Sequence, residues 1–181
     1  MSGPTGAVLL FVLPTDWQRG AFTLEWRQAA GIDWATVILF GGGLSLGRLM
    51  TDTGLADTVG SAMVRLSGAG SVWALTGVAI FTGIVLSELS SNTASASMVI
   101  PVMIAAAGDV GVSPIPPALG AALGASFGFM LPVSTPPNAI VFGSGLVPLK
   151  EMIRAGIVLD VAGGLLIWVG LRILCPLIGI V

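Results

Sequence analysis

Two short polar strings interrupt an otherwise apolar sequence. The first is Glu88-Leu89-Ser90-Ser91-Asn92-Thr93 and the second is Leu131-Pro132-Val133-Ser134-Thr135-Pro136-Pro137-Asn138. Both are rich in uncharged oxygen. A helical proline cannot bond to the carbonyl four residues earlier. Within a helix, Pro132, Pro136 and Pro137 therefore leave the carbonyls of Gly128, Pro132 and Val133 without that partner. In a bilayer each such orphan is costly unless something satisfies it. A desolvated sodium ion takes oxygen ligands, and Ser134, Thr135 and Asn138 add side-chain oxygens to the backbone ones. At the first string, a helix ending near Ser87 aims its partly negative carboxyl end at the polar residues. A helix starting near Ala94 aims its partly positive amino end at the same place. Ser91, Asn92 and Thr93 are amino-capping types. A cation at one helix end and a carboxylate at the other is a chemistry that such interrupted membrane helices support.

The plainer reading of one Ser/Asn/Thr triplet is hydrogen bonding between helices, and a single proline is only a kink. Two breaks of the same composition favour a site. Glu88 is intramembrane by position and so a functional candidate. The reading preferred here is a structural one, with its carboxylate bonded to nearby backbone, because a carboxylate facing an anion would repel it. Asp160 reads as a residue near the cytoplasmic end of the last helix, reaching for water. Cys175 reads as inert packing.

The elements that must hold these strings are membrane helices. The 181 residues are 55% hydrophobic and 9% charged, with mean hydropathy +1.00, against roughly 25% charged in a soluble domain. No charge lies between Glu88 and Asp109, or between Asp109 and Lys150. Seven Lys and Arg, scattered, leave no nucleic-acid footprint. One cysteine excludes a disulfide framework, and the lack of histidine excludes a histidine metal cluster or proton relay. With no carboxylate pair evident in the sequence pattern either, an enzyme is not expected.

Along the chain, residues 6–13 read as the tail of a helix and 14–32 as a polar connector. Trp17, Trp26 and Trp34 put that connector at a membrane interface. Residues 33–50 form a helix interrupted by Gly41, Gly42 and Gly43, which permit close backbone approach. Leu55, Val59, Met63 and Leu66 recur at helical spacing, as in a helix lying along the membrane surface or a short solvated one. Residues 71–87 and 94–107 flank the first polar string as the arms of a re-entrant hairpin. Residues 110–149 would extend about 60 Å as one helix, roughly twice the hydrocarbon thickness, so they break at the second string. Gly120, Gly124 and Gly128 give the segment before it a small-residue face. Residues 148–154 form a second interfacial element, and 155–177 the last helix. If the hairpin enters and leaves on one face, Arg19, Arg27, Lys150 and Arg154 share the other. The positive-inside rule makes that other face cytoplasmic.

Three strings resemble the divalent anion/sodium symporter family. Ser91-Asn92-Thr93, within Ser87 to Ala94, is similar to its Ser-Asn-Thr hairpin signature. The run from Met130-Leu131-Pro132-Val133-Ser134-Thr135-Pro136-Pro137-Asn138 through Ala139-Ile140-Val141-Phe142-Gly143-Ser144-Gly145 is similar to its broken-helix signature and is highly specific. Leu39-Phe40-Gly41-Gly42-Gly43 after Ile32-Asp33-Trp34 is also similar. The likeness runs from about Trp17 to the end.

That resemblance implies an all-α integral membrane protein, here one inverted-repeat half with a re-entrant hairpin and a broken transmembrane helix. Residues 1–181 form one membrane domain, with scaffold-type helices at 1–50 and 155–181 and the transport-type hairpin and broken helix at 71–145. It implies sodium-coupled import of di- or tricarboxylates, or sulfate, by an elevator-type homodimer in a bacterial inner membrane. Asn92, Thr93, Thr135 and Pro136 would contact the substrate. Sodium, the co-transported ion, would be held by Ser91, Asn92, Ser134 and Asn138, partly through backbone carbonyls. Only one Ser-Asn-Thr motif and one Pro-Pro-Asn break are present, so the chain reads as the carboxy-terminal half, needing an amino-terminal partner half. The competing expectations are a non-transporting membrane assembly or scaffold protein, an anion exchanger, and a proton-coupled carrier. Uncharged oxygens at both breaks favour sodium over protons. Succinate, citrate and sulfate fit such a cradle equally well.

Overall fold

The structure is a computed structural model that describes residues 2–16, 21–31 and 34–181. Trp17 and Arg19 of the connector, and Ile32 and Asp33 before the first long helix, lie outside the described residues. The chain divides into two compact units, Met1–Ile38 and Leu39–Val181.

In the first unit, α1 (Ser2–Val12) leads into a two-stranded ribbon of β1 (Pro14–Asp16) and β2 (Ala21–Phe22), followed by α2 (Trp26–Ala29). The polar connector thus has internal order among its described residues. Thr23 donates its amide and its hydroxyl to the Leu13 carbonyl, at 3.0 and 2.9 Å. A reciprocal Glu25–Gln28 capping box starts α2.

The second unit is all helix and loop. It continues α3 (Trp34–Asp52), then holds α4 (Leu55–Ser67), α5 (Val72–Leu89), α6 (Asn92–Val110), α7 (Ile115–Gly124), α8 (Pro136–Gly143) and α9 (Leu149–Leu177). Helix α3 runs through Gly41–Gly43 without interruption, correcting the expected break. Backbone hydrogen bonding continues past a glycine when a packed neighbour compensates its entropy, and Gly43 and Gly47 do meet one. A Cβ at Gly43 would collide with the Ser97 side chain, and one at Gly47 would sit 3.0 Å from Pro101. Helix α9 begins at Leu149, so Lys150, Glu151 and Arg154 occupy its first turns rather than a separate interfacial element.

Among the described residues, α5, α6 and α9 are long and apolar enough to cross a membrane. Ile157, Val158, Leu165, Leu166 and Ile173 of α9 are exposed, and an unbroken apolar face of that kind belongs in lipid. The protein is an all-α membrane protein apart from the small ribbon.

Small residues set the packing at the centre. Gly83 of α5 faces the backbone of Ala121 and Ala125, where a Cβ would stand 2.7 Å from the Ala121 carbonyl oxygen. Gly124 of α7 presses on the Ile80 carbonyl, and Gly120 on Ile80 and Thr76. Without these glycines α5 and α7 could not approach so closely. Leu75, Ala79, Met103 and Ala121 fill the core between α5, α6 and α7. Ile80, Ile84, Leu171 and Cys175 fill the contact of α5 with α9. Cys175 is buried there as packing.

Candidate functional site

The first break is two residues long. Helix α5 ends at Leu89 and α6 starts at Asn92, leaving Ser90 and Ser91 as the tip. Asn92 and Thr93 therefore stand in the first turn of α6, two residues earlier than the sequence pattern places that helix. Ser91 is its amino cap, with its hydroxyl accepting from the Ala94 amide at 3.2 Å. Ser90 lies 2.8 Å from Ser95. The second break is longer. Helix α7 ends at Gly124, and Ala125 through Thr135 carry the chain to α8. Pro136 and Pro137 occupy the first helical turn of α8, where a missing N–H costs nothing. Thr135 is its cap residue in extended conformation, and its side chain makes no capping bond.

The two breaks meet. Asn92 donates its amide nitrogen to the Ser126 carbonyl at 3.4 Å, and its Oδ1 accepts from Ser87 Oγ at 2.6 Å. Ser87 also reaches the Ala125 carbonyl at 2.7 Å. Ser87 was not singled out by the sequence reading. Its signal is the row Gly83–Ser87, one turn apart on the face of α5 that packs on α7.

Glu88 joins the breaks a second time. Its Oε1 accepts from the Met130 amide at 2.8 Å, and its Oε2 from the Leu131 amide at 2.9 Å and Ser134 Oγ at 2.6 Å. Ser134 also donates to the Glu88 carbonyl at 3.0 Å. This is the structural role preferred from sequence: a carboxylate in a membrane core made tolerable by three donors. Asn138 gathers the rest of the break. Its amide nitrogen donates to the Gly128 carbonyl at 2.7 Å and the Leu131 carbonyl at 3.0 Å. The Gly128 carbonyl, expected to be left for an ion, is thus satisfied by a side chain of the same string.

Asp160 corrects the sequence reading. It is buried, 3% exposed, in the middle of α9, and does not reach water. Gly156, one turn before it, lies on the break, where a Cβ would be 2.5 Å from Met130 Cα. Gly164, one turn after, lies on Phe81 and Ile84 of α5.

Beside the hairpin tip is a cavity of about 750 Å³ between α3, α6 and α7. Asn92, Thr93, Ser97 and Ser126 give it polar wall, while Leu44, Ile100, Pro101 and Ile104 give it apolar wall. Its volume falls in the range of small-molecule pockets. Of the four residues expected to touch substrate, Asn92 and Thr93 line it; Thr135 and Pro136 stand at the start of α8 and do not. The structure thus gathers Ser91, Asn92 and Thr93 at one tip, and ties Ser134 and Asn138 into the break that this tip contacts.

A hairpin tip meeting a proline-broken helix is the geometry those strings led one to expect. The model of the family described as the sodium:sulfate symporter transmembrane region matches residues 3–179. The chain belongs to this family of divalent anion/sodium symporters. It is 36% identical over 151 residues to the sodium-dependent dicarboxylate transporter SdcS of Staphylococcus saprophyticus, covering 83% of this chain and 29% of that protein. It is 34% identical over 173 residues to SdcS of Staphylococcus aureus strain bovine RF122, covering 95% of this chain and 33% of that protein. This symporter-family chain spans about a third of the length of the curated relatives it matches. The relatives are transporters by name, and a transporter, not an enzyme, is what the family implies.

Proposed function

We propose that this chain supplies one half, the carboxy-terminal one, of a sodium-coupled carrier of di- or tricarboxylates or sulfate. The carrier works in a bacterial inner membrane, as a homodimer moving by an elevator mechanism. The observation that carries the reading is the contact of the two breaks through Asn92, at the wall of a cavity large enough for a small anion. Asn92 and Thr93 hold one carboxylate of the substrate at the amino end of α6. Thr135 and Pro136 close on the substrate from α8 once the other half is in place.

Sodium, as cargo, is taken by Ser91, Asn92 and Asn138 with backbone carbonyls of the break. A hydroxyl or amide oxygen that accepts one hydrogen bond keeps a second lone pair, so the Ser87–Asn92 and Ser91–Ala94 bonds leave room for an ion. Ser134 joins this set through its backbone, while its hydroxyl donates to the carboxylate and carbonyl of Glu88 and positions the break.

The test is Asn92→Ala in a carrier completed with its other half. Sodium-dependent succinate uptake into proteoliposomes should disappear while the protein inserts at wild-type levels. Unchanged uptake removes Asn92 from the site. One observation favours a second reading, a non-transporting assembly protein: Ser87, Asn92, Ser134 and Asn138 are all bonded within the chain. Sealed breaks of that kind predict no thermal stabilisation by sodium in detergent, whereas the carrier predicts it.

A further inference from the structure

Glu88 and Asp160 lie against each other in the core, and only one of them is provided for. Glu88 is 2% exposed and receives the Met130 and Leu131 amides and the Ser134 hydroxyl. Asp160 is 3% exposed, and neither of its carboxylate oxygens has a hydrogen-bond partner. Gly156, one turn before Asp160, lies on Met130, whose amide donates to Glu88, and Gly164, one turn after, lies on Ile84, one turn before Glu88, so the two carboxyl groups face the same place. These two glycines press α9 closely onto the break and α5 around Asp160.

Two negative charges cannot stand together in this setting. A bare buried carboxylate is among the costliest groups a fold can hold, and a like charge beside it makes it costlier. No basic residue comes to its aid. On α5 Glu88 is the sole charged residue; α7, α8 and the break between them carry none. On α9 itself the charged residues are Lys150, Glu151 and Arg154, which precede Asp160 by more than a turn, and Arg172, which sits over Trp73 and Trp168.

We propose that Asp160 and Glu88 form a cation site of their own, holding one small monovalent cation, sodium or a proton, between the two carboxyl groups. The site is distinct from the sodium ligands of the hairpin tip. It joins α9 to the junction of the two breaks, so its occupancy bears on how firmly α9 is seated there.

The test is the thermal midpoint of the chain in detergent, for the parent, Asp160→Asn and Asn92→Ala. Each is measured over a sodium series against choline at fixed pH, and over a pH series without sodium. The parent should be least stable where both cations are scarce, in choline at high pH. Under those conditions Asp160→Asn should be more stable than the parent, by a shift on the order of several degrees, because it removes an uncompensated charge. Its advantage should vanish when the cation saturates. If the sodium dependence is what Asp160→Asn loses, sodium is the occupant; if the pH dependence, the proton is. A sodium dependence that survives in Asp160→Asn but is absent from Asn92→Ala belongs to the hairpin tip, so the two sites fail or stand separately. The proposal is overturned if Asp160→Asn keeps both dependences of the parent, or is the less stable protein when cations are scarce. Asp160→Ala is the second variant, with the same expectation, and failure of both to fold overturns the proposal too.

Discussion

The two breaks solve one problem in opposite ways. Both interrupt helix in a region where backbone groups have no water to turn to. The first does so over Ser90 and Ser91 alone and largely looks after itself: Ser91 caps α6, and Ser90 bonds back to the Leu86 carbonyl at 3.0 Å. The second runs from Ala125 to Thr135 and depends on side chains that reach into it. Glu88 comes from α5 to take two of its amides, and Asn138 from α8 to cover two of its carbonyls. A short break can be encoded by its own residues. A long one is a tertiary structure, and its stability is set from outside it.

The largest effect should come from cutting the longest reach. Glu88→Ala leaves the Met130 and Leu131 amides without their acceptor and the Ser134 hydroxyl with the Glu88 carbonyl alone. A buried donor stripped of its partner costs about 1–3 kcal/mol, so losing two together should exceed any single change within the first break. The expected result is a protein that inserts but melts at a clearly lower temperature, with protease sensitivity or hydrogen exchange rising first over residues 125–135. Protection there equal to the parent would mean that the second break does not lean on α5.

Asn138→Ala should have a smaller effect in the same place. It removes two donors from carbonyls, and carbonyls tolerate partial satisfaction better than amides do. A loss of about 1–2 kcal/mol is expected, read as a fall in thermal midpoint, again with exchange rising over 125–135 and not at the hairpin tip. An effect as large as that of Glu88→Ala would show that the carbonyls, not the amides, set the stability of this break.

The same contrast explains what could be seen from the sequence. The first break was legible because its signals are local: capping residues between two apolar arms. The second was legible as a place, since three prolines in an uncharged run too long for one helix must break it. Its partners were not legible in full. That Glu88 would bond to backbone followed from the repulsion between a carboxylate and an anionic substrate, but which backbone it reaches, more than forty residues on, is a tertiary fact. Asp160 was misread because a lone charge in a terminal helix suggests a route to water. Its neighbours in the sequence carried the better clue. Gly156 and Gly164, one turn to either side of it, mark the face of α9 that packs most closely, and a charge on that face is enclosed. Gly41–Gly43 misled in the other direction, since glycine in a helix signals close approach as readily as a break, and α3 uses Gly43 for approach.

The smallest effect should come from the break that serves itself. Ser91→Ala removes one cap, a loss of about 1 kcal/mol, and the rest of the tip has other supports: Ser87 on Asn92, and Ser90 on Ser95. Exchange should quicken at the first turn of α6, residues 92–95, and stay at parent levels over 125–135. Ser91→Asp, which restores a capping oxygen, should recover that protection. In the completed carrier it would still place a negative charge where the substrate anion is proposed to bind, and uptake should fall even though the cap is restored. The pair of variants thus separates the hydroxyl that holds the helix from the site the helix end creates. If Ser91→Ala instead loosened residues 125–135 as much as residues 92–95, the short break would be supporting the long one, and the division between a self-contained break and a dependent one would not hold.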